Sequence, residues 1–468
     1  MNKRILFLFG TRATSRTFSE FQILDKINGN PNYEILCALR EHSKYPSRSP
    51  FIKSSHVKIE KFSGSKKSWE RHQLWLQISM ARRRKTNKSF AFKTRRALLG
   101  EFTYRSFPTI FHYLIYLAKL VFRSRSMITL ISMIPKLGSL LETISWNLIP
   151  KNVALESLIR EIDPSLIVVV STGSEPLLAE LQKIQHLNCK WILLPDNWDN
   201  VFTKTIVRHL PYEFWVWSEQ QRGHLIGAKI AEDSEVRVVG SSRLSLEAKS
   251  YLAPRINLSG RNPYEMRVLY AGQESAHDEI SDLVWIYRTL TKLHLIIGLR
   301  VEIVYRPHPT ARPRSTRAHK YELLHELANL NSEIGFTFIS HESNLIHKQN
   351  QNVAESLSAI DLVIGAPTTL LLESLFYGIP SAVILRNDHL HRTSSGNVWL
   401  HYLHFSDLER VPNFHKIMDE SDLVSLFQEF KSGRTPKDKS MLEYFTGPAL
   451  NPYSENLMHA IDSTLARE

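Results

Sequence analysis

The stretch Ala359–Leu385, "AIDLVIGAPTTLLLESLFYGIPSAVIL", decides the fold. A β-branched apolar run stops at Gly365-Ala366-Pro367, an apolar segment of helical length follows, and Gly378 ends it before a second apolar run. Neither run alternates apolar with polar, so each strand is expected to be covered on both faces. That is the pattern of a parallel sheet with its crossover helix packed on it. Thr368 and Thr369 stand where the helix starts, a place where hydroxyls and free backbone N–H groups together favour an anion. Glu373, one turn further, is placed to meet sugar hydroxyls of a nucleotide held above. The same residues also read as a plain cap and a complement to the helix dipole.

Working outward, Val301–Tyr305 is another apolar strand, and it stops at "RPHP", Arg306–Pro309. Proline gives no backbone donor and fixes φ, so the pair of prolines ends the ladder and stiffens the chain around His308. Arg306 and His308 can donate to phosphate oxygens, and the threonine turn offers donors to the same group. The Gly272-Gln273 turn, after "MRVLYA", is expected to line that pocket. A loop-capping histidine is the plainer alternative.

Strands and helices alternate through most of the 468 residues. The pattern runs once from "RILFLFG" to "VRVVGSSRL", crosses a polar Pro- and Gly-containing stretch near Ser245–Glu265, and restarts at "MRVLYAGQES". The expected class is therefore α/β, with two Rossmann-like doubly wound parallel-sheet domains facing a cleft and ligands at the carboxyl ends of the strands. The boundaries read as 1–250 for the first domain, with a basic, aromatic helical insertion at about 44–150, and 251–445 for the second. Residues 446–468 form an amphipathic helix expected to cross back to the first domain.

Charge is unevenly spread. Residues 44–125 hold 20 Lys or Arg against 3 Glu, a net of +17, and the rest of the chain holds 39 against 43, a net of −4. The run Arg82–Arg96 has eight basic residues and no acid, with Trp69, Trp75, Phe90, Phe92, Phe102 and Tyr104 interleaved around it. The apolar run Phe107–Phe122 is 16 residues long and holds Lys119, short of the roughly 20 apolar residues of a spanning helix. Basic and aromatic residues so mixed suit an anionic membrane surface. A solvated basic face over a buried helix is the alternative. No recognisable nucleic-acid module is present, so nucleic acid is not expected as a partner. Cys37 and Cys189 both lie in apolar runs, which fits a reducing compartment without disulfides. The apolar core of the amino terminus, Ile5–Phe9, is short for an export signal. The expected location is cytoplasmic, peripherally attached to the inner face of the cell membrane.

With these motifs in view, the carboxyl half resembles the donor-binding domain of GT-B glycosyltransferases. The His-Pro pair and the hydroxyl pair before a helix are similar to bacterial sialyltransferases and Kdo transferases that use CMP-sugars, and to CDP-glycerol glycerophosphotransferases. The resemblance implies that His308, Thr368 and Thr369 hold the nucleotide phosphates, with Arg306, Glu373, Gly272 and Gln273 completing the donor site. Non-hydrolysing UDP-GlcNAc 2-epimerases share the His-Pro strand tip, but they carry Asp-Ser-Gly-Gly where this chain has Gly-Ala-Pro-Thr-Thr. "PDNWDN", Pro195–Asn200, is similar to a tryptophan-centred motif of surface-carbohydrate biosynthesis proteins.

The first domain is left to supply the acceptor site and a base for its hydroxyl. Asp196, Asp199 and Glu175 are the candidate bases; Arg12, Thr14 and Trp198 are candidate acceptor contacts, the indole stacking on a sugar face. Asp and Asn in "DNWDN" also suit an ordinary turn. HExxH, paired CxxC, GxGxxG and GxxxxGK[ST] are all missing, so no metal and no cofactor are expected. The expected function is transfer of a sugar from a nucleotide-activated donor, CMP-linked in preference, to a lipid-linked or growing surface glycan. A CDP-polyol phosphotransferase and an inactive GT-B scaffold or membrane adaptor are the alternatives.

Overall fold

The computed structural model describes residues 2–10, 15, 18, 22–42, 57–83, 134–171, 176–184, 189–195, 197–198, 206–250, 265–273, 277–307, 334–338, 357–387, 394–432, 440–448 and 451–467. It divides into two units, Met1–Ser245 with Gly447–Glu468, and Leu246–Thr446.

In the first unit, β1 (Lys3–Phe9), β2 (Tyr33–His42), β3 (Lys58–Gly64), β4 (Leu166–Ser171), β5 (Lys190–Pro195), β6 (Glu213–Val216) and β7 (Val236–Val238) make one sheet in the order β3-β2-β1-β4-β5-β6-β7. In the second, β8 (Met266–Ala271), β9 (Val301–Arg306), β10 (Ile334–Phe338), β11 (Leu362–Gly365), β12 (Ser381–Ile384) and β13 (Phe414–Ile417) follow the order β10-β9-β8-β11-β12-β13. Every paired strand is parallel. Both orders step outward from the first strand and then reverse to its other side, which is the Rossmann arrangement. The reversals fall between β1 and β4 and between β8 and β11.

The apolar runs do what their composition demands. Ile5–Phe9 and Leu166–Val170 are wholly buried, as central strands covered on both faces must be. In the second unit the helix Glu279–Ile297 lays Leu283, Ile286, Leu290 and Leu293 into the core with β8 and β9. Asp278 caps its start, accepting from the Ser281 N–H, and Gly298 ends it at φ 65°.

The last helix, Tyr453–Leu465, belongs to the first unit. It is tied there by Glu213, which is buried and accepts from Trp215 Nε1 (2.8 Å), Thr464 Oγ1 (3.0 Å) and Arg467 Nη1 (2.9 Å). The returning chain passes Gly447 at φ 77°, where an added Cβ would stand 1.9 Å from the Trp217 carbonyl oxygen, so only glycine fits.

The basic segment enters the fold earlier than its charge suggests. Lys58–Gly64 is the edge strand β3, and the helix Lys66–Arg83 buries Trp75, Leu76, Ile78 and Met80. Residues 58–83 are thus part of the sheet layer, and Trp75, grouped by composition with membrane-facing aromatics, is a core residue packed edge-on against Trp146. The rest of that segment, 44–56 and 84–125, lies outside the described residues.

What fixes this layer is a buried ion pair. Arg40 near the end of β2 reaches the Glu180 carboxylate through two hydrogen bonds of 2.8 Å, with both side chains almost wholly buried. Ser68 Oγ (2.6 Å) and Asn152 Nδ2 (3.1 Å) donate to the same carboxylate. Burial alone would raise the Glu180 pKa. The hydrogen bonds and charge of Arg40, helped by Ser68 and Asn152, outweigh it and hold the carboxyl below the ordinary range. A depressed folded pKa contributes stability that is complete above the unfolded value of about 4.3 and disappears as pH falls through the folded one. Arg40→Ala leaves a buried carboxylate uncompensated and is expected to cost about 3–5 kcal/mol. A urea midpoint at neutral pH unchanged from the parent chain would contradict this.

Candidate functional site

The strand order of the second unit brings three carboxyl ends side by side. Arg306 of β9 is in register with Ala271 of β8, and Ala271 with Gly365 of β11. The Gly272 N–H donates to the Arg306 carbonyl at 2.9 Å, carrying the β8–β9 ladder one residue past the strand. On the other side β11 lies so close that a Cβ on Gly365 would stand 2.4 Å from the Ala271 carbonyl oxygen. Glycine is the residue that allows this approach, and it occurs at the reversal of strand order, where open α/β sheets bind ligands.

Thr368 follows in extended conformation and caps the helix Thr369–Phe376, its hydroxyl accepting from the Leu370 N–H at 3.5 Å. The cap predicted from sequence is therefore observed. Thr369 is the first helical residue, and both threonines are half-buried. Glu373 is 3% exposed, one turn into that helix. Arg306 is half-buried and Pro307 buried at the end of β9. His308 lies outside the described residues, as do Arg12, Thr14, Glu175, Asp196 and Asp199.

A buried polar network that the motifs did not flag supports these tips. Asp282, in the helix Glu279–Ile297, accepts from the Tyr270 hydroxyl (3.1 Å) and from His277 Nε2 (2.7 Å), and Arg386 Nη1 lies 3.6 Å from its other oxygen. A carboxylate only accepts, so Nε2 carries the hydrogen. Ser395 Oγ is 3.4 Å from the same nitrogen, and the Arg386 guanidinium sits 4.5 Å from the Trp285 ring centroid. Glu279 takes the Gln273 N–H (2.8 Å) and the Tyr305 hydroxyl. Burial, and then the negative charges of Asp282 and Glu279, push the Tyr270 hydroxyl far above its ordinary pKa, so it stays a donor. In sequence the run "AHDEISD", His277 with acids at the helix start, is indistinguishable from a dipole complement. That is why the pattern did not reveal it.

Gln273 is itself buried, at 5% exposure, and its backbone is held by Glu279. In the first unit Trp198 is 1% exposed, and its indole donates to Gln220 Oε1 at 2.8 Å. Gln221 reaches back to the Trp198 carbonyl (2.7 Å), and Trp217 Nε1 donates to the Pro195 carbonyl (3.0 Å). The expectation that Trp198 offers a ring face to a sugar is corrected: the ring is an interior anchor for its turn.

No protein-family model matches the chain, and no curated protein matches it. Solved structures do. A protein of Listeria monocytogenes assigned as a UDP-N-acetylglucosamine 2-epimerase is similar over 100% of this chain and 98% of its own, with 11% identity and a TM-score of 0.52. The UDP-GlcNAc 2-epimerase of Neisseria meningitidis bound to UDP-GlcNAc is similar over 99% and 100%, at 10% identity and 0.48. The lipopolysaccharide outer core galactosyltransferase WaaB is similar over 98% and 99%, at 10% identity and 0.45. The first likeness, with the strand orders above, shows that the chain has a GT-B fold of two Rossmann-like parallel-sheet domains.

Replacing Gly365 by alanine forces a methyl group against the Ala271 backbone. Overpacking of this kind costs about 1–3 kcal/mol. A lowered thermal midpoint of the Gly365→Ala chain is expected, and an unchanged one would contradict the close approach.

Proposed function

We propose that the chain is a glycosyltransferase that moves a sugar from a nucleotide donor to a lipid-linked or growing surface polysaccharide at the inner face of the membrane. The reading is carried by one observation: β9, β8 and β11 end side by side, with Arg306, Gly272 and the Thr368–Thr369 helix start gathered at the reversal of strand order. His308 follows Arg306 by two residues. In this reading Arg306, His308, Thr368 and Thr369 hold the donor phosphates, the Gly272-Gln273 turn lines the pocket, and Glu373 meets the ribose.

The acceptor hydroxyl oxygen bonds to the anomeric carbon as the bond from that carbon to the phosphate oxygen breaks. The nucleotide leaves with the electron pair, and the hydroxyl proton passes to a carboxylate of the first domain, Asp196 or Asp199 in preference to Glu175. A CMP-linked donor is favoured by the His-Pro and Thr-Thr combination. The Gly-Ala-Pro-Thr-Thr turn stands against a 2-epimerase of the kind met among the structural likenesses.

Incubation with CMP-, CDP-, UDP- and GDP-sugars, with release of nucleotide as the readout, tests the reading. Turnover of a CMP-sugar is expected. Turnover of CDP-glycerol alone would instead make the chain a polyol phosphotransferase, and inertness toward the whole panel would make it a scaffold. His308→Ala is expected to lose at least about ten-fold in nucleotide affinity, the equivalent of one charge-assisted hydrogen bond, with an unchanged circular dichroism spectrum. Unchanged affinity would remove His308 from the site.

A further inference from the structure

The helix Pro135–Asn147 in the first unit presents the opposite of the usual surface pattern. Its inward side carries Gly138, Glu142, Ser145 and Trp146, all buried. Leu140, Ile144 and Leu148 are 56%, 48% and 45% exposed. Positions four apart fall on one side of a helix, so the three make a continuous aliphatic stripe. The helix is locked in this orientation. Glu142 accepts from Ser79 Oγ at 2.8 Å and pairs with Arg82 at 2.6 Å, while Trp146 packs edge-on against Trp75 with centroids 4.9 Å apart. Turning the leucines inward would strip a buried carboxylate of its partners.

Cations gather where the stripe ends. Lys183 Nζ and the Arg208 guanidinium lie over the Trp146 ring, 5.5 and 5.3 Å from its centroid. Lys183 donates to the Asn147 carbonyl (3.4 Å), and Arg71 to the Leu148 carbonyl (2.8 Å). Partial burial, then the charges of Arg208 and Lys151, lower the Lys183 pKa, a mark of how closely these cations are grouped. Among the described residues no ion pair joins Lys183 or Arg208 to a carboxylate. The segment leading into the helix, 84–133, contains most of the basic run Arg82–Arg96 and all of the apolar run Phe107–Phe122.

We infer that this face docks on an anionic lipid bilayer, with Leu140, Ile144 and Leu148 entering the headgroup layer and Arg71, Lys183 and Arg208 meeting lipid phosphates. The inference rests on the membrane-attached reading above and adds to it a folded contact surface outside residues 84–133. Charge selects the occupant: a second copy seated on the same face would bring its own cations against these.

The whole 468-residue chain is co-sedimented with vesicles of phosphatidylcholine alone or mixed with phosphatidylglycerol. Binding to the mixed vesicles only is expected, weakened at least about ten-fold both by Leu140→Ser with Ile144→Ser and Leu148→Ser and by Lys183→Gln with Arg208→Gln. Circular dichroism of each variant confirms that the fold persists. Parent and variants bound equally would overturn this surface while leaving attachment through the basic segment standing. A parent chain that binds neither vesicle would overturn both. Serine substitutions that turn a dimer into a monomer in sedimentation velocity would assign the face to a second copy and overturn the proposal.

Discussion

Gly365 stands opposite Ala271 where β11 lies against β8, and the backbone of one strand fills the space that a side chain on the other would need. That contact fixes how near the two strands at the reversal of strand order can come. It brings the start of the helix Thr369–Phe376 to the Gly272 turn, and through the β8–β9 register it aligns Arg306 with the same edge. A larger residue at position 365 would part the strands at the place where α/β sheets collect their ligands. The candidate site is thus set first by backbone packing and only then by side-chain chemistry.

Around these edges both units use buried carboxylates as fasteners. Glu180 joins β2 to the helices Lys66–Arg83 and Val153–Ile162 through Arg40, Ser68 and Asn152. Glu213 holds the last helix, and Asp282 ties Tyr270, His277 and Arg386 to one helix of the second unit. Such groups add little net stability, because their desolvation consumes most of the attraction. They strongly penalise any arrangement that breaks them. Of the three, Asp282 stands nearest the candidate site, through Tyr270 next to the end of β8.

Features governed by neighbours in sequence were readable in the sequence. The apolar runs became parallel strands and Thr368 became a cap, because burial on two faces and helix starts are local demands. Features governed by distant partners were not. β3 was hidden in "KIEKFSG", since an edge strand keeps its charges in water and loses the apolar signature. Trp198 looked like a surface residue between aspartates, but its partner Gln220 is 22 residues away. The Arg40–Glu180 pair spans 140 residues and has no local mark at all. The direction in which Leu140, Ile144 and Leu148 point is set by Glu142 and Trp146 on the opposite side of their helix, whose partners lie on a separate helix.

The central claim is that the second unit's reversal edge takes a nucleotide phosphate. Hydrogen–deuterium exchange of the intact chain, with and without saturating nucleotide, reads it most directly. Added protection is expected only in peptides holding the Gly272 turn, the end of β9 with His308, and Gly365–Leu370. Protection concentrated in the first unit instead, or none with any of the nucleotides, would contradict it.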